Sequence, residues 1–129
     1  MRVLLVEGNL ALRTALTQLL RAEPAVRQVD QASTGQEAVI LARMTRPEVV
    51  LIDADLREMS GSEVVRLLRA QYPDLCIVGM TLCENADKAE ALRSAGASVV
   101  VSKSEAQELV AGMRDCYAAH QNRWELAGE

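Results

Sequence analysis

The sequence predicts an α/β domain built on a parallel sheet with helices packed on both of its faces. Two observations carry that prediction. Five short apolar runs, rich in β-branched residues, recur along the 129 residues, and runs of that length read as buried strands. Each is followed by a stretch with apolar residues at helical spacing, and strand then helix, repeated, means parallel strands with right-handed crossovers.

The first run is Val3-Leu4-Leu5-Val6, and its helix carries Leu12, Leu16, Leu19 and Leu20. The second, Val26-Arg27-Gln28-Val29, alternates apolar and polar residues and suits a sheet edge. Its helix carries Ala38, Leu41 and Ala42. The third run, Val49-Val50-Leu51-Ile52, precedes a stripe of Val64, Leu67 and Leu68. The fourth, Leu75-Cys76-Ile77-Val78, precedes the thin stripe Ala86, Ala89, Leu92. The fifth, Val99-Val100-Val101, precedes Leu109, Val110, Met113, Cys116 and Tyr117. All five stripes read as core packing.

Thr34…Glu37, Ser60…Glu63 and Ser104…Gln107 each fit a capping box at a helix start. Pro47, Pro73 and Gly96 mark helix ends. One domain is expected over residues 1–118. Residues 119–129, with His120, Arg123 and Trp124, form a tail expected to fray.

Composition narrows the function. Aromatics are 2%, so base-stacking platforms and aromatic flavin clamps are excluded. A net charge of -4 argues against direct nucleic-acid binding. Cys76, Cys83 and Cys116 are too few for a disulfide scaffold and suit a reducing compartment. Cys76 and Cys116 read as packing. Cys83, at a strand end, reads as a plain loop residue, with a redox thiol as the minor alternative. No apolar run is long enough to cross a membrane. No secretory leader is read at the start, so a cytoplasmic location is expected.

Ligands of open parallel sheets bind beyond the carboxyl ends of the strands. Those ends carry Glu7-Gly8-Asn9, then Asp53 with Asp55 two residues on, then Thr81-Leu82-Cys83, then Ser102-Lys103. An acidic pair suits a hard divalent cation. An aspartate can be a phosphoryl acceptor, and a lysine and a threonine can hold phosphoryl oxygens.

In these residues the chain resembles the receiver domain of two-component response regulators. The features are Val3-Leu4-Leu5-Val6-Glu7, Leu51-Ile52-Asp53 with Met59 and Gly61, Met80-Thr81, and Ser94-Ala95-Gly96-Ala97 leading to Lys103. The resemblance implies a flavodoxin-like (βα)5 fold with a five-stranded sheet of order 2-1-3-4-5. It implies that Asp53 is the phosphoacceptor, Thr81 the switch hydroxyl and Lys103 the lysine that contacts the phosphoryl group. Magnesium would be held by Glu7, Asp53 and the backbone carbonyl of Asp55. A histidine kinase would be the donor. An output domain or downstream protein would engage the surface of the fourth helix, fifth strand and fifth helix, which would also serve a homodimer.

Several residues depart from that pattern. Gly8 stands where a second acid is usual, which should weaken the metal site unless Glu7 or the Asp55 side chain compensates. Leu82 replaces a small residue beside Thr81, and its bulk should narrow access to the pocket. Arg57 and Ser104 stand at proline positions. Val100 stands at the aromatic switch position. The alternative is therefore a receiver that binds a partner without phosphate. A flavodoxin-type small-molecule binder is disfavoured, because Glu7-Gly8-Asn9-Leu10-Ala11 would repel a phosphate. A phosphatase built on Asp53 and Asp55 is disfavoured because no cap encloses a substrate. The chain is thus expected to be a signalling domain rather than a metabolic enzyme.

Overall fold

The computed structural model describes residues 1–82 and 85–127, with side chains described through Gln121. Within these, strands and helices alternate: β1 Arg2–Val6, α1 Leu10–Arg21, β2 Gln28–Ala32, α2 Gly35–Thr45, β3 Val49–Asp53, α3 Gly61–Gln71, β4 Cys76–Thr81, α4 Ala86–Ala95, β5 Val99–Ser102 and α5 Ala106–Ala127. All strand pairs are parallel and the order is β2-β1-β3-β4-β5. The expected fold and the edge position of β2 are both found.

Successive strand side chains point to opposite faces, and this divides the core in two. Val3, Leu5, Val49, Leu51, Val78 and Met80 pack under α1 and α5 through Leu16, Leu20, Leu109 and Met113. Leu4, Val6, Val50, Ile52 and Ile77 pack under α2, α3 and α4 through Ala38, Val64, Leu68 and Leu92. Each fully buried aliphatic side chain contributes about 1.5–3 kcal/mol. These two layers hold the strand ends, and hence the site, in place.

Two of the expected caps are present. The Thr34 hydroxyl accepts from Glu37 N–H and the Ser60 hydroxyl from Glu63 N–H. The third is not: α5 begins at Ala106, and the Ser104 hydroxyl instead pairs with that of Ser102 at 2.8 Å. Asn9 and Asn85 cap α1 and α4 by accepting from Leu12 and Lys88 N–H. Gly96 ends α4 at φ 119, a left-handed conformation suited to glycine.

Three expectations need correction. β2 lies two residues later than expected, because Val26 N–H is held in a turn by Glu23 O and pairing with β1 begins at Gln28. In α3, Val65 is buried and Leu67 is 42% exposed, since the helix turns the neighbouring position inward. The segment read as a fraying tail is helical to Ala127; between Met113 and Ala127 no glycine or proline interrupts the backbone ladder. The side chains of Arg123 and Trp124 lie outside the described set, as does Cys83.

Candidate phosphoacceptor pocket

The pocket lies at the carboxyl edge of the sheet. Glu7 follows β1, Asp53 ends β3, Thr81 ends β4, and Lys103 follows β5. Glu7, Asp53 and Thr81 are buried, and only 7% of the Lys103 side chain is exposed. The crossovers bring together residues as far apart in sequence as Glu7 and Lys103.

Lys103 organises the charges. Its Nζ lies 2.8 Å from Asp53 Oδ1 and 3.0 Å from Glu7 Oε1. Its backbone N–H donates to Thr81 O at 2.8 Å, which fixes the chain after β5 against the end of β4. Burial acts to lower the lysine pKa. The hydrogen bonds to Asp53 and Glu7, with their negative charge, outweigh it, so the pKa is raised. Lys103 therefore stays charged throughout the neutral range.

Backbone donors complete the carboxylate surroundings. Asn9 N–H donates to Glu7 Oε2 at 3.0 Å and Asp55 N–H to Asp53 Oδ1 at 3.0 Å. Arg13 Nη1 donates to Glu7 O at 2.8 Å, tying α1 to the loop after β1. Gly61 is required where it stands: a Cβ there would lie 2.2 Å from Asp53 O. Its N–H donates to Ala54 O at 3.1 Å, which closes the loop over the end of β3.

Asp55 is placed differently. Its carboxylate pairs with Lys88 on α4, and both side chains are 46% exposed. The Asp55 side chain is therefore engaged with α4 rather than with the Lys103 cluster. Leu82 is 60% exposed and stands in solvent. Val100 packs against the core layer under α3 and α4.

A magnesium ion prefers several oxygen ligands in octahedral array. Among the described residues Glu7 and Asp53 supply the buried carboxylates of the pocket, and the Lys103 ammonium already bridges them. Gly8 adds none, and among the described residues no group of three or more acidic, cysteine or histidine side chains is poised to hold a metal. The pocket as arranged does not fit a tightly held divalent ion. The shortage is chemical rather than steric, because a Cβ on Gly8 would meet only Ser33 O, at 3.6 Å.

Sequence reasoning placed Asn9 at the site but missed its capping role, and it missed Arg13 and Lys88. Asn9 had a usable signal, an asparagine directly before an apolar-periodic run. Lys88 had none, because its partner lies 33 positions away across the fold.

The chain is similar to known proteins over most of its length. The response regulator GacA of Pseudomonas protegens is 32% identical over 121 residues, which is 93% of this chain and 57% of that protein. A protein-glutamate methylesterase/protein-glutamine glutaminase of Myxococcus xanthus is 35% identical over 104 residues, 80% of this chain and 30% of that protein. This chain thus spans little more than half of the first relative and less of the second. Among solved structures, a LuxR-family two-component response regulator from Aurantimonas superposes with a TM-score of 0.85 at 29% identity, over 92% of this chain and 85% of that one. No helix among the described residues is long and apolar enough to cross a membrane. Residues 3–114 match the response regulator receiver domain, and the chain belongs to that family.

Proposed function

We propose that this domain accepts a phosphoryl group on Asp53 from a histidine kinase and passes the event to a protein partner. The observation that supports it is the contact between Asp53 Oδ1 and Lys103 Nζ, inside a pocket that also holds Glu7 and Thr81. Asp53 is the nucleophile: a carboxylate oxygen bonds to phosphorus as the phosphorus–nitrogen bond of the donor phosphohistidine breaks. Lys103 moves its hydrogen bond from the carboxylate to a phosphoryl oxygen, and the Thr81 hydroxyl donates to another. The modification brings about 1.5–2 negative charges into a pocket that already holds Glu7, so the ends of β4 and β5 are drawn inward together.

Magnesium has a reduced part in this reading. Glu7, Asp53 and the Asp55 carbonyl are the groups that would hold it, and Gly8 contributes nothing. The partner surface is that of α4, β5 and α5, used for an output domain, a downstream protein or a second copy. Because Val100 replaces an aromatic residue, the Thr81 displacement reaches that surface through aliphatic packing.

Acetyl phosphate with intact-mass detection tests the proposal. Wild type gains one phosphoryl group and Asp53→Asn gains none. Equal labelling of both proteins, or labelling of neither at saturating donor, rejects Asp53 as acceptor. Beryllofluoride titration over a magnesium series then measures the metal requirement.

A further inference from the structure

Cys76 at the start of β4 and Cys116 on α5 meet at the amino edge of the sheet, away from the pocket around Asp53. The Cys76 thiol donates to Cys116 O at 3.2 Å, which sets the two cysteines side by side. Both residues line a cleft of about 480 Å³, together with Arg69, Ser98 and Gly112. Cys76 is buried and Cys116 is half-buried.

The surroundings favour a thiolate on Cys116. Arg69 donates to the carbonyls of Gly96, Tyr72, Pro73 and Leu75, and to Ser98 Oγ. These acceptors are neutral, and among the described residues no carboxylate pairs with Arg69. The Asp74 and Asp115 carboxylates line the same cleft, so the Arg69 charge acts on Cys116 in competition with theirs. Ser98 Oγ accepts from Ile77 N–H and from Arg69 Nη2, each at 3.2 Å. That leaves its own hydrogen to donate toward Cys116. The Cys116 pKa is lowered to about 6, first by the Cys76 hydrogen bond, then by Ser98 and Arg69 against the opposing effect of burial.

We propose that Cys116 and Cys76 form a peroxide-reactive dithiol that closes reversibly to a disulfide between α5 and β4. Cys116 is the attacking sulfur and Cys76 the resolving one. The Cys116 thiolate attacks one oxygen of hydrogen peroxide; a sulfur–oxygen bond forms, the oxygen–oxygen bond breaks, and hydroxide leaves as water after taking a proton. The Cys76 sulfur then attacks the sulfenic sulfur. The sulfur–sulfur bond forms, the sulfur–oxygen bond breaks, and the Cys76 proton departs with the hydroxide as a second water. Two thiols are oxidised and one peroxide is reduced to two waters. This site is independent of phosphorylation at Asp53.

The test treats the full chain with hydrogen peroxide, followed by intact mass and peptide mapping. Wild type and Cys83→Ser lose the two hydrogens of a disulfide, yield a peptide joining Cys76 to Cys116, and recover with dithiothreitol. Cys76→Ser stops at a Cys116 sulfenic acid that dimedone traps. Ser98→Ala slows alkylation of Cys116 at neutral pH by about fivefold, as expected when a thiolate loses a donor. The proposal is overturned if wild type carries Cys116 to sulfinic acid without the cross-linked peptide. It is also overturned if the only disulfide found includes Cys83, or if no thiol reacts before the fold is lost.

Discussion

At the carboxyl edge of the sheet Lys103 sits between the carboxylates of Glu7 and Asp53; at the amino edge Arg69 sits among four carbonyl oxygens and a hydroxyl. Each cation is well supplied with acceptors, yet the electrostatic results are opposite. Lys103 offsets one of two buried negative charges and occupies the space between the carboxylates that a further cation would need. Arg69 satisfies its donors on neutral oxygens, so its charge stays available to a nearby sulfur. Counting hydrogen bonds makes the two sites look alike, whereas counting charges separates them.

Lys103→Met puts that contrast under the greatest strain. Two buried carboxylates lose their shared partner, which costs about 3–5 kcal/mol, read as a lower urea midpoint with an unchanged slope. If stability stays within about 0.5 kcal/mol of wild type, the carboxylates do not depend on Lys103. Arg69→Met is the matching change at the other edge. It leaves carbonyls without donors at a cost of about 1–3 kcal/mol, and it slows Cys116 alkylation. Arg69→Lys keeps the charge but not the planar fork, so alkylation falls less than stability does.

Gly8→Asp sharpens the comparison from the carboxyl side. The open direction at Gly8 accepts the side chain, and magnesium affinity rises about tenfold, equal to ~1.4 kcal/mol. Thermal shift across a magnesium series reads this; an unchanged series shows that Lys103, rather than the missing acid, limits the metal.

The smallest effects come with pH. The Glu48 pKa is lowered: burial opposes this, but Arg2 N–H, the Tyr117 hydroxyl and the chain amino group prevail. Glu48 therefore contributes stability that is present above the ordinary carboxylate value and lost as pH falls through its lowered value. Lys103 has the opposite sign. Its raised pKa contributes stability that is complete below the ordinary lysine value and lost as pH rises through the folded one. Tyr117→Phe removes the 2.9 Å bond to Glu48 Oε2. It costs about 1 kcal/mol at neutral pH and less in acid, as denaturant titration at several pH values would show.

The carboxyl-edge pocket was legible in the sequence because strand ends announce themselves. Asp53, Thr81 and Lys103 each follow an apolar run, and the parallel-sheet rule sends all three to one edge. β2 was harder to place, because Val26 looks like a strand residue but belongs to the turn that precedes it. The amino-edge site was illegible. Arg69 ends a helix, Cys76 opens a strand, Ser98 precedes another strand, and Cys116 lies in the last helix. None of these positions carries a local motif, and each alone reads as packing or surface. Only the close approach of α3, β4, β5 and α5 makes them neighbours.

The Arg69 fork also has a mechanical consequence. It grips the carbonyl of Gly96 with Nε at 3.0 Å and Nη2 at 2.9 Å, and so fastens the end of α4 to α3 and to the turn before β4. Among the described residues, the start of α4 is held by its Asn85 cap and the half-exposed Lys88–Asp55 pair. A rod clamped at one end and loosely tied at the other swings; it does not slide. Any rearrangement of α4 is thus a pivot about Gly96, with the greatest travel beside Asp55, two residues beyond Asp53.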